Sequence, residues 1–453
     1  MSARRPVPAI RSFPRLAILL AMAGCVSTPP RPVWHPLPAT ALDRPLTLDE
    51  SVRLALANDV VLADFAARDA AARAGLRAAA AIPNPMLALE WEGLGLVDAG
   101  MHLASLKSAI TYPFLFAWPR RYKLCAAFAE RDEQAWARAV DTRKLVAEVG
   151  AAWYGLVADR RKVKLAEELL TISRSSVEDV RKQRAAGLKS DYDVERAEAD
   201  LLQTEGDAAD ATAQQRLDQL TFAFALGADR PVFARVSAPD DLGVAVPAPT
   251  ETPPEDVVTA ALAADPSWSK AHAAITSAEA RLHVEQLGAF PFMDVGGAAG
   301  RKSEPGIGHG GTAGLDVPLP IFDRNQGGIT RATAELSAAH VEAERTRRAV
   351  VAAISEDWER VRAASARWER FARPLTARLT GLDRKARSMY AAGEMTGGDL
   401  LQVRRDWKAA QRAEVDAWKD AAIARFTLES ALGLHEGPSG SAARTPTATP
   451  GAR

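Results

Sequence analysis

Seven histidines are the first side chains to test for chemistry: His35, His102, His272, His283, His309, His340 and His435. They are scattered, with no spacing that would hold a metal ion. His309-Gly310-Gly311 has the composition of an oxyanion loop, but no G-x-S-x-G nucleophile turn accompanies it within the fold. A glycine-rich turn between strands explains that run better. The seven methionines form no copper-type cluster, and Gly296–Arg301 ("GGAAGR") follows no βαβ pattern that would cradle a phosphate. An enzyme reading is therefore poor, and no cofactor is implied. The 57 basic side chains balance 57 acidic ones, which argues against nucleic acid as a partner.

One cysteine carries a different chemistry. Arg4, Arg5, Arg11 and Arg15 precede the apolar run Leu16–Ala23, which ends in Gly24-Cys25. A basic region, a short apolar core and small residues read as a secretory signal. The run is far short of the roughly 20 residues that span a bilayer as a helix. Met22-Ala23-Gly24-Cys25 resembles a bacterial lipobox, in which Cys25 becomes the lipidated first residue, although Met22 stands where leucine is usual. Plain signal cleavage, with Cys25 an ordinary thiol, is the alternative. The other cysteine, Cys125, reads as a small packing residue on a helix.

The elements that position these residues come in two copies. Asp59 stands opposite Asp265, Pro85 opposite Pro291, Pro113 opposite Pro318, Gly187 opposite Gly393, Asp193 opposite Asp399, and Gly227 opposite Gly433, always at an offset of 205 or 206. Six anchors in order at a nearly constant offset mark a tandem duplication. The chain divides into a signal (1–24), a proline-rich tether (25–45), a first repeat (46–227), a linker (228–253), a second repeat (254–434) and a tail (435–453). Each repeat opens with two helices, about Leu48–Asn58 and Val60–Ala81, then Pro254–Ala264 and Pro266–Leu287. Pro85 and Pro291 open a strand; a glycine-rich turn follows ("GLGLVDAGM", and "GGAAGRKSEPGIGHGG" over 296–311); a second strand returns to Pro113 and Pro318. Long helical stretches then run over about Arg120–Ala186 and Gln326–Ala392. At 1.5 Å per residue each is about 100 Å long, too long for a compact globule. Gly187 and Gly393 fit as C-terminal caps at the hairpin tips.

The strands decide what such an object is for. In "MLALEWEG", Leu87, Leu89 and Trp91 alternate with Ala88, Glu90 and Glu92; in "TAGLDVP", Ala313, Leu315 and Val317 alternate with Thr312, Gly314 and Asp316. That pattern fits a barrel wall with lipid outside and water inside, as well as a half-buried soluble sheet. Four strands cannot close a barrel, and open edges are not tolerated in lipid. The expected fold is therefore mainly α with a small β part: long-helix hairpins forming an α-barrel, and four strands per chain given to a shared transmembrane β-barrel.

At this point the chain resembles the TolC-type outer-membrane efflux factors. The resemblance covers about Leu46 to Gly433 and rests on Asn84-Pro85, "PLPIFDRNQGG" (Pro318–Gly328) and "YAAGEMTGGDLL" (Tyr390–Leu401). The "PLPIFDRNQG" form is closest to the branch serving heavy-metal resistance-nodulation-division pumps. The first-half counterpart, "TYPFLFAWPRR", departs from the pattern. The resemblance implies a homotrimeric passive efflux duct in the outer membrane of a Gram-negative bacterium. A periplasmic adaptor and an inner-membrane pump would be its partners, and metal cations its cargo. It places strand-to-helix junctions at Pro113, Pro318, Pro320 and Asp323, with Pro320 and Asp323 ending the strand and starting the helix. It places adaptor contacts at the tips, Ala186, Gly187, Leu188, Ala392, Gly393 and Glu394. Asp399 falls on the first acidic position of the family's periplasmic aperture, while Gln402 replaces the second. Asp193 is the first-half counterpart and could pair instead with Arg196, Arg404 or Arg405; Asp399 could equally be a simple helix N-terminal carboxylate. A periplasmic coiled-coil adaptor or scaffold without a pore is the alternative function; it needs no amphipathic strand pairs.

Labelled palmitate is expected to enter the parent chain and not Cys25→Ala. Incorporation into both would exclude Cys25 as the acylated residue. Because a barrel is itself an anchor, the substitution should reduce yield or assembly more than transport.

Overall fold

The computed structural model describes residues 35–82, 84–92, 95–97, 100–102, 105–113, 117–237, 253–289, 296–304, 308–316 and 320–434. Cys25, Pro318, Val317 and the tail lie outside them, as does His435.

Helix α1 (Leu48–Asn58) starts in a capping box: Glu50 N–H donates to Thr47 Oγ1 and Thr47 N–H to Glu50 Oε2. Helix α2 (Val60–Ala80) is capped by Asp59, whose carboxylate accepts Leu62 N–H at 2.8 Å. The second half repeats this device. Helix α5 (Glu255–Ala264) leads to α6 (Pro266–Gly288), where Asp265 accepts Ser267 and Trp268 N–H at 2.8 and 3.1 Å and Pro266 takes the first turn. The duplicated Asp59 and Asp265 are thus the same cap used twice.

Four strands form one antiparallel sheet in the order β1 (Met86–Glu92), β4 (Ser105–Pro113), β5 (Gly296–Glu304), β6 (Gly308–Asp316). Met86 faces Thr111, Pro113 faces Gly296, and Gly296 faces Asp316. The first-half turn contains a further short ribbon, β2 (Gly95–Val97) paired with β3 (Gly100–His102). In the second half most of the glycine-rich segment expected as a turn is strand instead. It is strand over 296–304 and 308–316, with β6 beginning four residues before Thr312. Glycine is a weak strand former alone, but β5 is hydrogen-bonded on both sides, and pairing overrides propensity.

Helix α3 (Ala117–Ala185) runs 69 residues and turns into α4 (Asp191–Ala225). The matching stretch of the second half is not one α-helix as expected. It is α7 (Gln326–Ala366), a wider π-turn over Arg367–Ala372, and α8 (Arg373–Ala391), which turns into α9 (Gly397–Ala431). Arg373 N–H donates five residues back, to Trp368 O. The cause is Pro374, which has no N–H and whose ring would strike the carbonyl four residues earlier; one wider turn accommodates it. The Trp368 ring beside it is buried against Ala417 and Ala421 of α9.

Two close contacts of α3 are among those that bind the halves together. The Arg143 guanidinium of α3 donates to Asp265 Oδ2 and to the carbonyls of Ala264 and Ala431. Gly150 of α3 lets the Phe426 ring of α9 close in, since a Cβ there would lie 1.9 Å from a ring carbon. From Leu37 onward the proline-rich segment is a strap on the body. Leu37 N–H donates to Gly227 O, Leu46 N–H to Arg235 O and Ser237 N–H to Leu46 O, so strap and linker zip in parallel. Leu37, Leu42 and Leu46 join Val149, Leu156, Phe222 and Leu226 in the largest apolar cluster, and Trp153 Nε1 donates to Leu46 O at 3.1 Å.

Asp159 on α3 is buried between helices with one carboxylate oxygen lacking a hydrogen-bond partner. Burial first, then Asp218 of α4, pushes its pKa up to about 7; Lys162 and Lys419 oppose this, and Lys162 is held by Asp416 at 2.6 Å. The folded state therefore binds a proton that the unfolded chain has already lost, and stability falls as pH rises from about 4 to about 7. Asp159→Asn is expected to raise the melting temperature by about 2–4 °C above pH 7 and to flatten that pH dependence, read by circular dichroism in detergent. An unchanged pH profile would show that Asp159 titrates normally.

Candidate functional site

The lower end of the molecule is made by two helix hairpin tips. At the first, Gly187 adopts φ 73°, Gly187 N–H donates to Arg184 O and Leu188 N–H to Gln183 O at 2.9 Å. At the second, Gly393 adopts φ 77°, Gly393 N–H donates to Tyr390 O and Glu394 N–H to Met389 O at 2.8 Å. This is the left-handed closure that only glycine makes at low cost, and it leaves Leu188 prominent in solvent. Ala186 and Ala392 are the last residues held by intrahelical bonds, to Lys182 O and Ser388 O. The tips touch: Tyr390 Oη donates to Gln183 Oε1 at 3.3 Å, and Lys189 Nζ sits 4.9 Å over the Tyr390 ring.

Asp193 and Asp399 both occupy the third position of the helix that leaves a tip. Asp193 accepts from Ser190 N–H at 3.1 Å and Ser190 Oγ at 2.9 Å, completing a capping box. Those bonds, with Lys189 and Arg196 nearby, hold its carboxyl below the usual range. Asp399 accepts Thr396 Oγ1 at 2.6 Å while its own N–H donates back to that hydroxyl. Gln402 reaches Asp406 at 3.0 Å. Arg404 and Arg405 go to other carboxylates, Asp383 at 3.9 Å and Asp200 at 3.7 Å, so the pairing expected for Asp193 with these arginines does not form.

Above the tips lies a polar cluster that the sequence reading missed. Lys408 of α9 donates to Thr204 Oγ1 at 3.0 Å and Ser173 Oγ at 3.4 Å, and lies 3.8 Å from Asp200; burial lowers its pKa, and Asp200 counters this. Arg412 pairs with Asp207 at 2.6 Å. The only signal available was a set of polar side chains falling on faces otherwise filled by alanine and leucine. Their function is to key α3, α4 and α9 together, since a buried charge left without its partner is costly.

At the opposite end, Pro113 closes β4 and α3 begins four residues later. In the second half, Pro320 lies between β6 and α7, its carbonyl accepting Arg324 Nε at 3.4 Å. Asp323 does not start the helix. Its carboxylate accepts Asn325 N–H at 2.8 Å, and Asn325, at φ 57°, is the cap residue. The Asn325 amide meanwhile donates to the Glu285 carbonyl and carboxylate at 2.9 and 2.6 Å, tying the junction to α6. Asparagine tolerates this left-handed backbone, which is why the Asp-Arg-Asn run turns so sharply. Above the junctions the sheet ends in two edges, β1 and β6, that are unpaired among the described residues. Met86, Leu87, Leu89 and Ile110 are exposed on it. No helix among the described residues is long and apolar enough to cross a membrane, and no group there of three or more His, Cys, Asp or Glu could hold a metal ion.

Known proteins share this layout. The chain is 26% identical over 286 residues to the cobalt-zinc-cadmium resistance protein CzcC of Cupriavidus metallidurans, covering 63% of this chain and 65% of that protein. It is 28% identical over 397 residues to protein CyaE of Bordetella pertussis, covering 84% and 82%. Its fold matches the Campylobacter jejuni CmeC outer membrane channel with a TM-score of 0.71 at 14% identity, covering 87% and 88%. The model of the outer membrane efflux protein family matches twice, over residues 52–228 and 257–434. The chain belongs to the outer membrane efflux protein family.

Proposed function

We propose that this chain is the outer-membrane duct of a tripartite export system. The observation that carries the reading is the sheet with two unpaired edges, whose strands run directly into helices about 100 Å long. In lipid those edges must be satisfied by another copy. Three copies make a twelve-stranded barrel with room for a lumen, continued by a helical tunnel into the periplasm. The duct is passive and does no chemistry. The alternative, an adaptor or scaffold without a pore, gives the strand pairs no purpose and does not fit the family.

The inner-membrane pump of the resistance-nodulation-division type supplies the driving force, and a periplasmic adaptor grips the tips at Ala186–Leu188 and Ala392–Glu394. Cys25 carries the lipid that adds a second hold on the outer membrane. Similarity to CzcC supports metal cations as the cargo. Asp399 is the aperture residue. Three copies around the axis form one acidic ring that attracts cations, while Gln402 leaves a second ring absent and Asp193 stays with its own cap.

Two measurements test this. The purified protein should form ion-conducting pores in planar bilayers, and both Asp399→Ala and the isosteric Asp399→Asn should lose cation preference and block by multivalent cations. Unchanged selectivity in both variants would remove Asp399 from the aperture. A strain lacking the gene should become sensitive to cobalt, zinc or cadmium salts and recover with the gene restored; unchanged metal tolerance would assign the cargo elsewhere.

A further inference from the structure

The register of the sheet sorts its residues onto two faces, because residues paired across strands share a face and neighbours along a strand alternate. One face carries Glu90, Glu92, Lys107, Lys302, Glu304 and Asp316. The other carries Leu87, Leu89, Ile110, Ala299, Ala313 and Leu315, with Leu87, Leu89 and Ile110 exposed. In a shared barrel the charged face lines the lumen and the apolar face meets lipid.

The apolar face is interrupted by one polar cluster. Leu89, Ser108, Arg301 and Gly311 form a row across the four strands, and Trp91, Leu106, Ser303 and His309 form the next row on that face. Every other fixed charge of these strands lies on the lumen face, so Arg301 stands apart from all of them. Ser108 is its direct partner on β4, Ser303 follows two residues along β5, and His309 is its diagonal neighbour on β6. Directly opposed positions lie about 5 Å apart and diagonal ones about 7–8 Å, so the four fall within reach of one small anion. On the β6 side the partner of Arg301 is Gly311, where an added Cβ would meet nothing within 4 Å. The cluster has open room beside it.

Depth decides what the anion belongs to. The long helix α3 follows the Pro113 end of β4, so the end of the sheet at Glu92 and Glu304 looks away from the tunnel, toward the cell exterior. Arg301 precedes Glu304 by three residues, about 10 Å along a strand and less in depth because barrel strands tilt. Trp91, one row further out, is the residue type that marks a headgroup boundary. A charge on the lipid face is costly at the midplane and tolerated near the interface, where it can be paired. Arginine beside an imidazole and two hydroxyls suits a phosphate, which accepts the two parallel donors of a guanidinium.

We propose that this juxtaposition of Ser108, Arg301, Ser303 and His309 on the lipid face is a binding site for the phosphate of an anionic lipid in the outer leaflet. Arg301 supplies the charge, His309 and the two hydroxyls supply further hydrogen bonds, and Gly311 leaves space for the headgroup. The acyl chains lie along the apolar rows nearer the junctions, at Ala299, Ala313 and Leu315. The run His309-Gly310-Gly311, which serves no catalysis, thereby gains a role: one donor and a gap. One lipid per copy fixes the height of the barrel in its leaflet. This inference rests on the shared-barrel reading, because an adaptor has no lipid face.

The test titrates the full-length protein in detergent with a bisphosphorylated glycolipid of defined structure and with its dephosphorylated form. Bound lipid is counted by native mass spectrometry, with inorganic phosphate as competitor. The parent trimer should prefer the phosphorylated lipid by about tenfold, as charge-assisted bonds to one phosphate allow. Arg301→Ala with His309→Ala should erase that preference, and Arg301→Lys should keep part of it, since the charge stays and the fork is lost. Lys302→Ala, the next residue but on the lumen face, should leave it unchanged. If the double variant does not assemble, His309→Gln and Arg301→Gln singly should each cut the preference by about threefold. An undiminished preference in trimers of these variants, or an equal loss in Lys302→Ala, would overturn the site. Inorganic phosphate that displaces the lipid at equal concentration would overturn the lipid assignment and give the cluster to free anions. A parent chain that stays monomeric and forms no pores would instead overturn the shared-barrel reading itself.

Discussion

Backbone hydrogen bonding at the two ends of one four-stranded sheet governs this molecule. Strands β4 and β5 are satisfied on both sides because the hairpin of one repeat pairs with the hairpin of the other. Strands β1 and β6 each keep a row of unpaired donors and acceptors. In water such an edge invites aggregation, and in hydrocarbon each unsatisfied group costs several kcal/mol. A chain with this sheet cannot be complete alone. The duplication itself follows the same logic, since each repeat supplies one hairpin and the pair supplies a third of a closed wall.

The sheet's position then constrains the helices. Strands that turn into helices within a few residues carry their lateral order downward, so the edges of the wall and of the tunnel fall on the same sides. The junctions must turn the chain without loosening it. In the second half that is done by Asp323 bonding the Asn325 amide, by a left-handed Asn325, and by an anchor to Glu285. Ile321 and Phe322 stand exposed at this level, where the apolar zone of the wall gives way to the aqueous tunnel.

Within one copy the helices are held by sparse, specific contacts rather than by a thick core. Alanine and glycine let helices approach closely, as at Gly150 and Phe426, so few bulky side chains are needed. Polar keys such as Lys408 with Asp200, Ser173 and Thr204 fix which helix meets which and at what height. These keys sit just above the tips, which meet through Tyr390 on Gln183 and Lys189 over the Tyr390 ring.

Much of this was legible in the sequence. Period and punctuation gave the helices within a few residues, because caps and prolines act locally: Asp59, Asp265, Gly187 and Gly393 announce helix ends wherever the rest of the chain lies. The repeat and the four strands followed from the same local signals, and they forced a shared barrel. What failed was whatever depended on neighbours. Glycine-rich 296–304 is strand only because β4 and β6 hold it on both sides, and no local property of the segment reports that. Pro374 was visible, but whether it would break the helix or widen one turn depended on Trp368 finding a pocket between Ala417 and Ala421 of another helix. Asp193 with Arg404 was a plausible pair by charge alone, yet the capping box at Ser190 claimed the carboxylate and Asp383 took the arginine. Sequence determined the elements and their ends, since those are settled within a turn or two of chain. Tertiary structure alone decided the partners, because charge and shape act across space and are indifferent to order along the chain.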